Sequence, residues 1–96
     1  MSIKDFEQQQ SKAASSDYCC HVRDTLIKQL KDEEDGVIFY SQMAGELGIL
    51  GKATESNELN NIANDEFRHY LELRGIIDIL TESCSCTRKN IGPPFG

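Results

Sequence analysis

Proline is nearly absent from this sequence of 96 residues, and its two prolines, Pro93 and Pro94, lie near the end. Because proline breaks helices, nothing from Met1 to Asn90 forbids helix on that ground. Long apolar runs are also lacking, since none approaches the roughly 18 residues that a membrane span needs. No apolar stretch follows the first lysine, as one would in a secretory signal. We therefore expect a protein that does not enter a membrane and is located in the cytoplasm.

Basic residues are also few. The 10 lysines and arginines stand against 16 acidic residues, which gives a net charge of −6. That charge has the wrong sign for gripping a phosphate backbone, so we expect no nucleic acid partner. A composition with 39% hydrophobic residues is typical of a globular protein with a modest core. A chain this short forms one domain and buries little surface alone, so a metal or a partner is expected.

Glycines divide the chain into two helical segments. Apolar residues recur every three or four positions over residues 17–47 and 56–82, which predicts two amphipathic helices. Three glycines, Gly45, Gly48 and Gly51, cluster where the first segment ends, and they predict a turn from Gly48 to Lys52. The predicted organisation is a flexible N-terminal arm (1–16), a helical hairpin (17–83) and a C-terminal tail (84–96).

Charged groups interrupt the apolar stripe of each predicted helix. The first stripe has Glu33 where leucine would be expected, and the second has Glu66 and His69. A carboxylate in a helix seam is costly unless it is neutralised, paired or bound to a cation. The other stripe residues are Val22, Leu26, Leu30, Val37, Tyr40, Ala44 and Leu47 on the first helix, and Leu59, Ile62, Leu73, Ile76, Ile77 and Leu80 on the second.

The three interrupting groups are expected at one level of the hairpin. Glu33 lies about 21 Å before the turn, and Glu66 and His69 lie about 15 and 20 Å after it. Glu66 and His69 form a Glu-x-x-His pair, so both side chains can reach one metal. Two carboxylates and one imidazole suit iron or manganese, and zinc less specifically. The alternative is a buried ionic network without metal, neutralised by Arg68 or Lys31.

The number of ligands predicts a second chain. A di-iron carboxylate bundle needs two such sets, supplied by four helices, and one chain here supplies half. We therefore predict an all-α fold in which two antiparallel hairpins dimerise into a four-helix bundle. Two metals would be shared in the seam between the chains.

Two segments carry a resemblance to a known family. Residues 32–44 (Asp-Glu-Glu-Asp-Gly-Val-Ile-Phe-Tyr-Ser-Gln-Met-Ala) and 63–70 (Ala-Asn-Asp-Glu-Phe-Arg-His-Tyr) resemble the motif helices of the rubrerythrin branch of the ferritin-like superfamily. The two-helix length is similar to that of encapsulated ferritins, which build a ferroxidase centre across a dimer. The resemblance implies these site residues: Glu33, Glu66 and His69 as iron ligands, Tyr40 beside the centre, and Asp32 and Asp35 where metal enters.

The resemblance also implies a function. The implied function is that of a di-iron ferroxidase, which oxidises Fe(II) to Fe(III) for iron storage or detoxification. The resemblance further implies two irons per dimer, a ring of dimers and an encapsulin shell as partner. The tail, with Ile91 and Phe95, would be a docking peptide for that shell or a disordered end. Two alternatives stay open. One is a rubrerythrin-like peroxide reductase, whose usual Cys-x-x-Cys pairs are missing here, and the other is a non-catalytic metal-binding or structural helical dimer.

Four cysteines form a second cluster in the predicted hairpin. The antiparallel register brings Cys19 and Cys20 to the same open end as Cys84 and Cys86. They could be free thiols, disulfides between the two pairs or, with His21 nearby, a thiolate-rich metal site. A reducing cytoplasm favours free thiols over stable disulfides.

Overall fold

Two helices form an antiparallel hairpin. The computed structural model describes residues 3–92, with side chains from residue 16 onward. Helix α1 spans Ile3–Ile49 and helix α2 spans Ala53–Ser83. The described residues contain no strand, so the predicted all-α hairpin is confirmed for them. No helix in this part of the chain is long and apolar enough to cross a membrane.

The turn between the helices consists of residues 50–52. Gly51 has a φ of 75°, a left-handed conformation that glycine adopts without a steric penalty. The Lys52 N–H donates to the Leu47 carbonyl at 2.9 Å, and the Ser56 hydroxyl donates to the Ala44 carbonyl at 2.7 Å. The predicted turn from residue 48 to 52 is therefore confirmed.

The start of the first helix was predicted wrongly. Helix α1 begins at Ile3 rather than near Asp17, so residues 3–16 of the predicted arm continue the helix. No proline or glycine precedes Gly36, and the N-terminal segment is rich in glutamine, lysine, alanine and glutamate, which favour helix. Nothing in the sequence therefore stops α1 from extending toward the N-terminus.

The core is a narrow seam between the helices. Leu30 and Ala44 of α1 are buried, as are Ala63, Tyr70 and Ile77 of α2. The predicted stripe of α1 is confirmed, because its remaining members are half-buried.

On α2 the predicted line is displaced by one residue at the level of Ile62, and of the two adjacent predicted residues Ile76 and Ile77 only Ile77 is buried. Ile62 and Ile76 are 40% and 48% exposed, whereas their neighbours Ala63 and Ile77 are buried. Apolar residues occupy both adjacent positions, so the periodicity allowed either line to face α1. The buried line takes the small Ala63, which allows the helices to approach closely.

The cysteines close the open end of the hairpin. Cys19 is bonded to Cys84, and Cys20 is bonded to Cys86, with Cα–Cα distances of 6.0 and 5.6 Å. No cysteine of the chain is free, so the free-thiol alternative is wrong for this structure. The predicted register is right, because it brings the two pairs to one place.

A buried arginine organises the same end. Arg23 is 2% exposed, and its Nη1 donates to Thr81 Oγ1 at 3.0 Å and to the Thr87 carbonyl at 2.9 Å. Its Nε donates to Asp24 Oδ1 at 2.9 Å, and Lys89 Nζ lies 3.0 Å from the other oxygen of Asp24. These bonds hold the first residues of the tail against both helices.

The described part of the tail continues to pack inward. Ile91 contacts the core cluster formed by Leu30, Tyr70 and Ile77. The docking-peptide hypothesis used Ile91 together with Phe95, and Phe95 lies outside the described residues. That hypothesis stays a prediction.

Candidate metal centre

The three groups that interrupt the apolar stripes meet halfway along the seam. One ligand atom each from Glu33, Glu66 and His69 lies within 4.8 Å of the other two. Helix α1 supplies Glu33, and α2 supplies the other two residues on adjacent turns of one face. The structure therefore brings together all three predicted ligands.

The two carboxyl groups of the cluster have few hydrogen-bond partners within the described part of the chain. Glu33 Oε2 is buried, and it has no hydrogen-bond partner. The Glu33 carboxyl group and partial burial raise the pKa of Glu66, although His69 acts in the opposite direction. A buried acceptor without a partner normally costs about 1–3 kcal/mol. The arrangement is therefore unfavourable for the metal-free chain and favourable for binding a cation or protons.

A glycine makes room for one of the carboxylates. A Cβ atom at Gly36 would lie 3.2 Å from Glu66 Oε2 and 3.5 Å from its Cδ. Glycine inside a helix costs roughly 1 kcal/mol relative to alanine. Gly36 thus lets the Glu66 carboxylate lie against the backbone of α1, one turn beyond Glu33.

The cations named in the alternative ionic network are engaged elsewhere. Lys31 Nζ lies 3.0 Å from Asp35 Oδ1, and Arg68 Nη2 lies 3.9 Å from Asp65 Oδ1. Both are exposed pairs on the surface of their own helix. Neither pair reaches the buried carboxylates, so the structure does not form the predicted neutralising network.

The predicted sites of metal entry are on the surface. Asp32 and Asp35 are both exposed, and Asp35 hydrogen-bonds Lys31, which raises the pKa of that lysine. They flank Glu33 in the sequence, but they do not belong to the cluster of ligand atoms. Their role in metal entry stays a prediction.

Two tyrosines lie on the seam between the helices, and the sequence predicted a role only for Tyr40. Tyr40 is half-buried and packs edge-to-face on Phe39, with ring centroids 5.3 Å apart. Tyr70 is more deeply buried, at 1% exposure, and its hydroxyl accepts a hydrogen bond from Arg74 Nη1 at 2.8 Å. Tyr70 follows Glu66 by one helical turn, and this spacing would have predicted that the two residues share one face of α2.

His69 opens onto a surface groove of mixed polarity. The histidine is exposed, and it lines this groove together with Gln29, Glu33, Glu72, Leu73 and Ile76. One edge of the cluster therefore faces the seam between the helices, and the other faces this groove.

The donor set fits a hard or borderline divalent metal. Carboxylate oxygens with imidazole nitrogen suit Fe(II) and Mn(II), and Zn(II) less specifically. The orphaned oxygen of Glu33 and the space over Gly36 agree with a cation among these three side chains. Three protein ligands leave coordination positions for water, a substrate or residues of another chain.

Comparisons of the chain with protein-family models, with curated proteins and with solved structures gave no match. The resemblance to encapsulated ferritins therefore depends on the quoted residues and their spacing.

Proposed function

We propose that this protein is a ferroxidase, which binds two Fe(II) ions between two copies of the hairpin and oxidises them to Fe(III). The observation that carries the proposal is the cluster of Glu33, Glu66 and His69, with ligand atoms within 4.8 Å of one another and one buried oxygen unpartnered. Iron is the substrate here, and ferric iron is the product for storage or detoxification. Manganese and zinc are competing metals for the same ligands.

The surface around His69 supports a shared site. Ile62, His69 and Ile76 are spaced by seven residues and form one exposed line on α2, as in the seam of a helix bundle. The described residues include ten exposed large hydrophobic side chains and only five buried hydrophobic ones. A second hairpin over this line would cover apolar surface and add a second set of ligands.

The ligands have distinct tasks in this proposal. Glu33 and Glu66 supply negative oxygens, which stabilise Fe(III) more than Fe(II) and so favour the loss of one electron from each iron. The electrons pass to dioxygen or peroxide. His69 adds a neutral ligand without further negative charge. Glu33 raises the pKa of Glu66, and a bound cation would oppose that shift.

The test is anaerobic titration of the metal-free protein with Fe(II), followed by admission of oxygen. We expect saturation at one Fe(II) per chain and steady oxygen consumption. Glu66→Gln should lower the oxidation rate by more than about tenfold, because even the loss of a residue that only hydrogen-bonds a metal ligand has an effect of that size. Glu58→Gln, an exposed glutamate of the same helix, is the matched control and should behave as wild type.

Other outcomes would favour the alternatives. Iron binding without sustained oxygen consumption would indicate a non-catalytic metal-binding protein. A chain that binds no iron would be a structural helical dimer. Consumption of peroxide that requires an added electron donor would favour the rubrerythrin-like reductase.

The proposal also includes a location and partners. A hairpin dimer or a ring of dimers cannot enclose ferric mineral by itself, so a cytoplasmic protein of this kind would need a compartment such as an encapsulin shell. Co-purification with such a shell, lost when residues 87–96 are deleted, would support the docking role of the tail. Retention of the deleted chain in the shell would contradict it.

A further inference from the structure

We infer that Cys19, Cys20, Cys84 and Cys86 form a second metal site in the reduced protein, a tetrathiolate site for Zn²⁺ at the open end of the hairpin. This site shares no residue with the proposed iron centre.

One disulfide is enough to staple the open end. Cys19–Cys84 closes a chain segment with a sequence separation of 65, and Cys20–Cys86 closes one of 66. A crosslink stabilises mainly by removing loop entropy from the unfolded chain. After the first bond, the second closes only the small ring through residues 19–20 and 84–86, so it adds little constraint. Stapling therefore accounts for two cysteines, not for four.

Four thiols gathered at one point match the ligand number of a structural zinc site. Zn²⁺ in such sites is tetrahedral and is commonly bound by four cysteines. The two bridges are in contact, because Cys20 Sγ lies 3.7 Å from the carbonyl oxygen of Cys84. The chain reverses at Ser85, which has a φ of 54°, and the Cys86 N–H donates to the Thr81 carbonyl at 2.9 Å. This turn directs both C-terminal cysteines toward α1.

Charged groups of both signs surround the cysteines. Arg23 donates to the Thr87 carbonyl, directly after Cys86, and Arg88 and Lys89 follow in the chain. Two acidic groups share this end, since Arg88 pairs with Glu82 and Lys89 with Asp24. Asp17 and His21 also lie close to Cys19 and Cys20 in the chain, so the described charged groups around the cluster comprise three cations and three anions.

One of the two disulfides is also accessible. The Cys19–Cys84 bond lines an open cleft together with Ser16, Ser83 and Ser85, so a reductant and then a metal can reach it. Two dithiol molecules reduce the two disulfides, and each dithiol is itself oxidised to a disulfide. Binding of Zn²⁺ then displaces the protons of the four thiols to solvent and leaves four metal–sulfur bonds.

The test uses the full chain and Co²⁺ as a spectroscopic probe. The protein is reduced anaerobically with a phosphine and titrated with Co²⁺, and then Zn²⁺ is added as competitor. We expect sulfur-to-cobalt charge-transfer bands that saturate at one Co²⁺ per chain, are lost on addition of Zn²⁺ and are absent from the oxidised protein. Carboxylate and imidazole ligands give no such bands, so the iron centre does not interfere.

Variants determine which sulfurs bind the metal. Cys19→Ser and Cys86→Ser should each weaken Co²⁺ binding by at least about tenfold, whereas Ser83→Ala, beside Cys84, should leave it unchanged. Helix content measured on every sample separates loss of the site from loss of the fold. Reduced protein without charge-transfer bands, or bands unchanged in both cysteine variants, would overturn the inference. Either result would leave Fe(II) oxidation at Glu66, and hence the proposed function, unaffected.

Discussion

The open end of the hairpin and the middle of its seam both contain polar side chains, but these side chains have partners at the open end, whereas a carboxylate oxygen in the middle lacks one. At the open end Arg23 is buried with three partners of its own chain, and the cysteines are crosslinked. In the middle, Glu33 retains an unpartnered oxygen, and the pKa of Glu66 is raised by its neighbour. Polar groups that pair within the chain stabilise the fold, whereas polar groups without a partner are candidates for binding a ligand.

Removal of both disulfides should give the largest effect on stability. Closing a loop of this length is worth about 4 kcal/mol in the entropy model. The variant with all four cysteines replaced by serine should therefore unfold at much lower denaturant than the oxidised wild type, at equal protein concentration. Cys20→Ser combined with Cys86→Ser should lose far less, because Cys19–Cys84 still closes the same loop. If both variants lose the same free energy of unfolding, the Cys20–Cys86 bond is not redundant with Cys19–Cys84.

Arg23→Met should have the next largest effect. The substitution leaves the Thr81 hydroxyl and the Thr87 carbonyl without their donor, and a lost bond to a charged group costs about 1.5–3 kcal/mol. Denaturant unfolding of oxidised protein measures the loss. Lys28→Met, at an exposed position of the same helix, is the control and should change stability little. If Arg23→Met leaves the free energy of unfolding unchanged, the open end does not depend on this network.

Glu66→Gln should stabilise the metal-free protein, in contrast to Arg23→Met. Because its pKa is raised in the folded state, Glu66 contributes stability at acidic pH that is lost as pH rises through that raised value. Like charges about 4 Å apart repel by roughly 1 kcal/mol in water-like surroundings, so we expect a gain of about that size near neutral pH.

The pH dependence gives this prediction its control. The stability difference between Glu66→Gln and wild type should grow from acidic to neutral pH, while Glu58→Gln should show no such trend. The comparison with wild type removes the contribution of Asp24, whose pKa is lowered by its hydrogen bond to Lys89. A constant difference at all pH values would mean that Glu66 does not titrate against Glu33.

Two glycine substitutions give the smallest and most specific effect. Gly45→Ala has open space around the new Cβ and should stabilise α1 by about 0.5–1 kcal/mol. Gly36→Ala places its Cβ 3.2 Å from Glu66 Oε2, so it should gain less stability and weaken Fe(II) binding. Thermal unfolding and anaerobic Fe(II) titration of both variants make the comparison. Equal Fe(II) affinity in the two variants would show that Gly36 does not position Glu66.

The sequence predicted the hairpin, its turn and the three clustered ligands, because heptad spacing and helical rise fix which residues share a level. Periodicity could not choose between Ile62 and Ala63 or between Ile76 and Ile77, since adjacent apolar residues fit either line. Periodicity also did not predict the burial of Arg23 or Tyr70. Arg23 is buried because its partners Thr81 and Thr87 are distant in the sequence. Tyr70 has a side chain that is partly polar and partly apolar, so its type alone does not indicate burial. The oxidised cysteines were not predictable either, because their spacing gives their proximity and not their redox state.

The central claim is tested most directly by a crystal structure of protein loaded anaerobically with Fe(II), with anomalous diffraction recorded at the iron edge. We expect iron bound by Glu33, Glu66 and His69, with a second copy of the chain supplying the same three residues from across the interface. Anomalous density elsewhere, or a dimer that buries a different face and leaves His69 in solvent, would contradict the account.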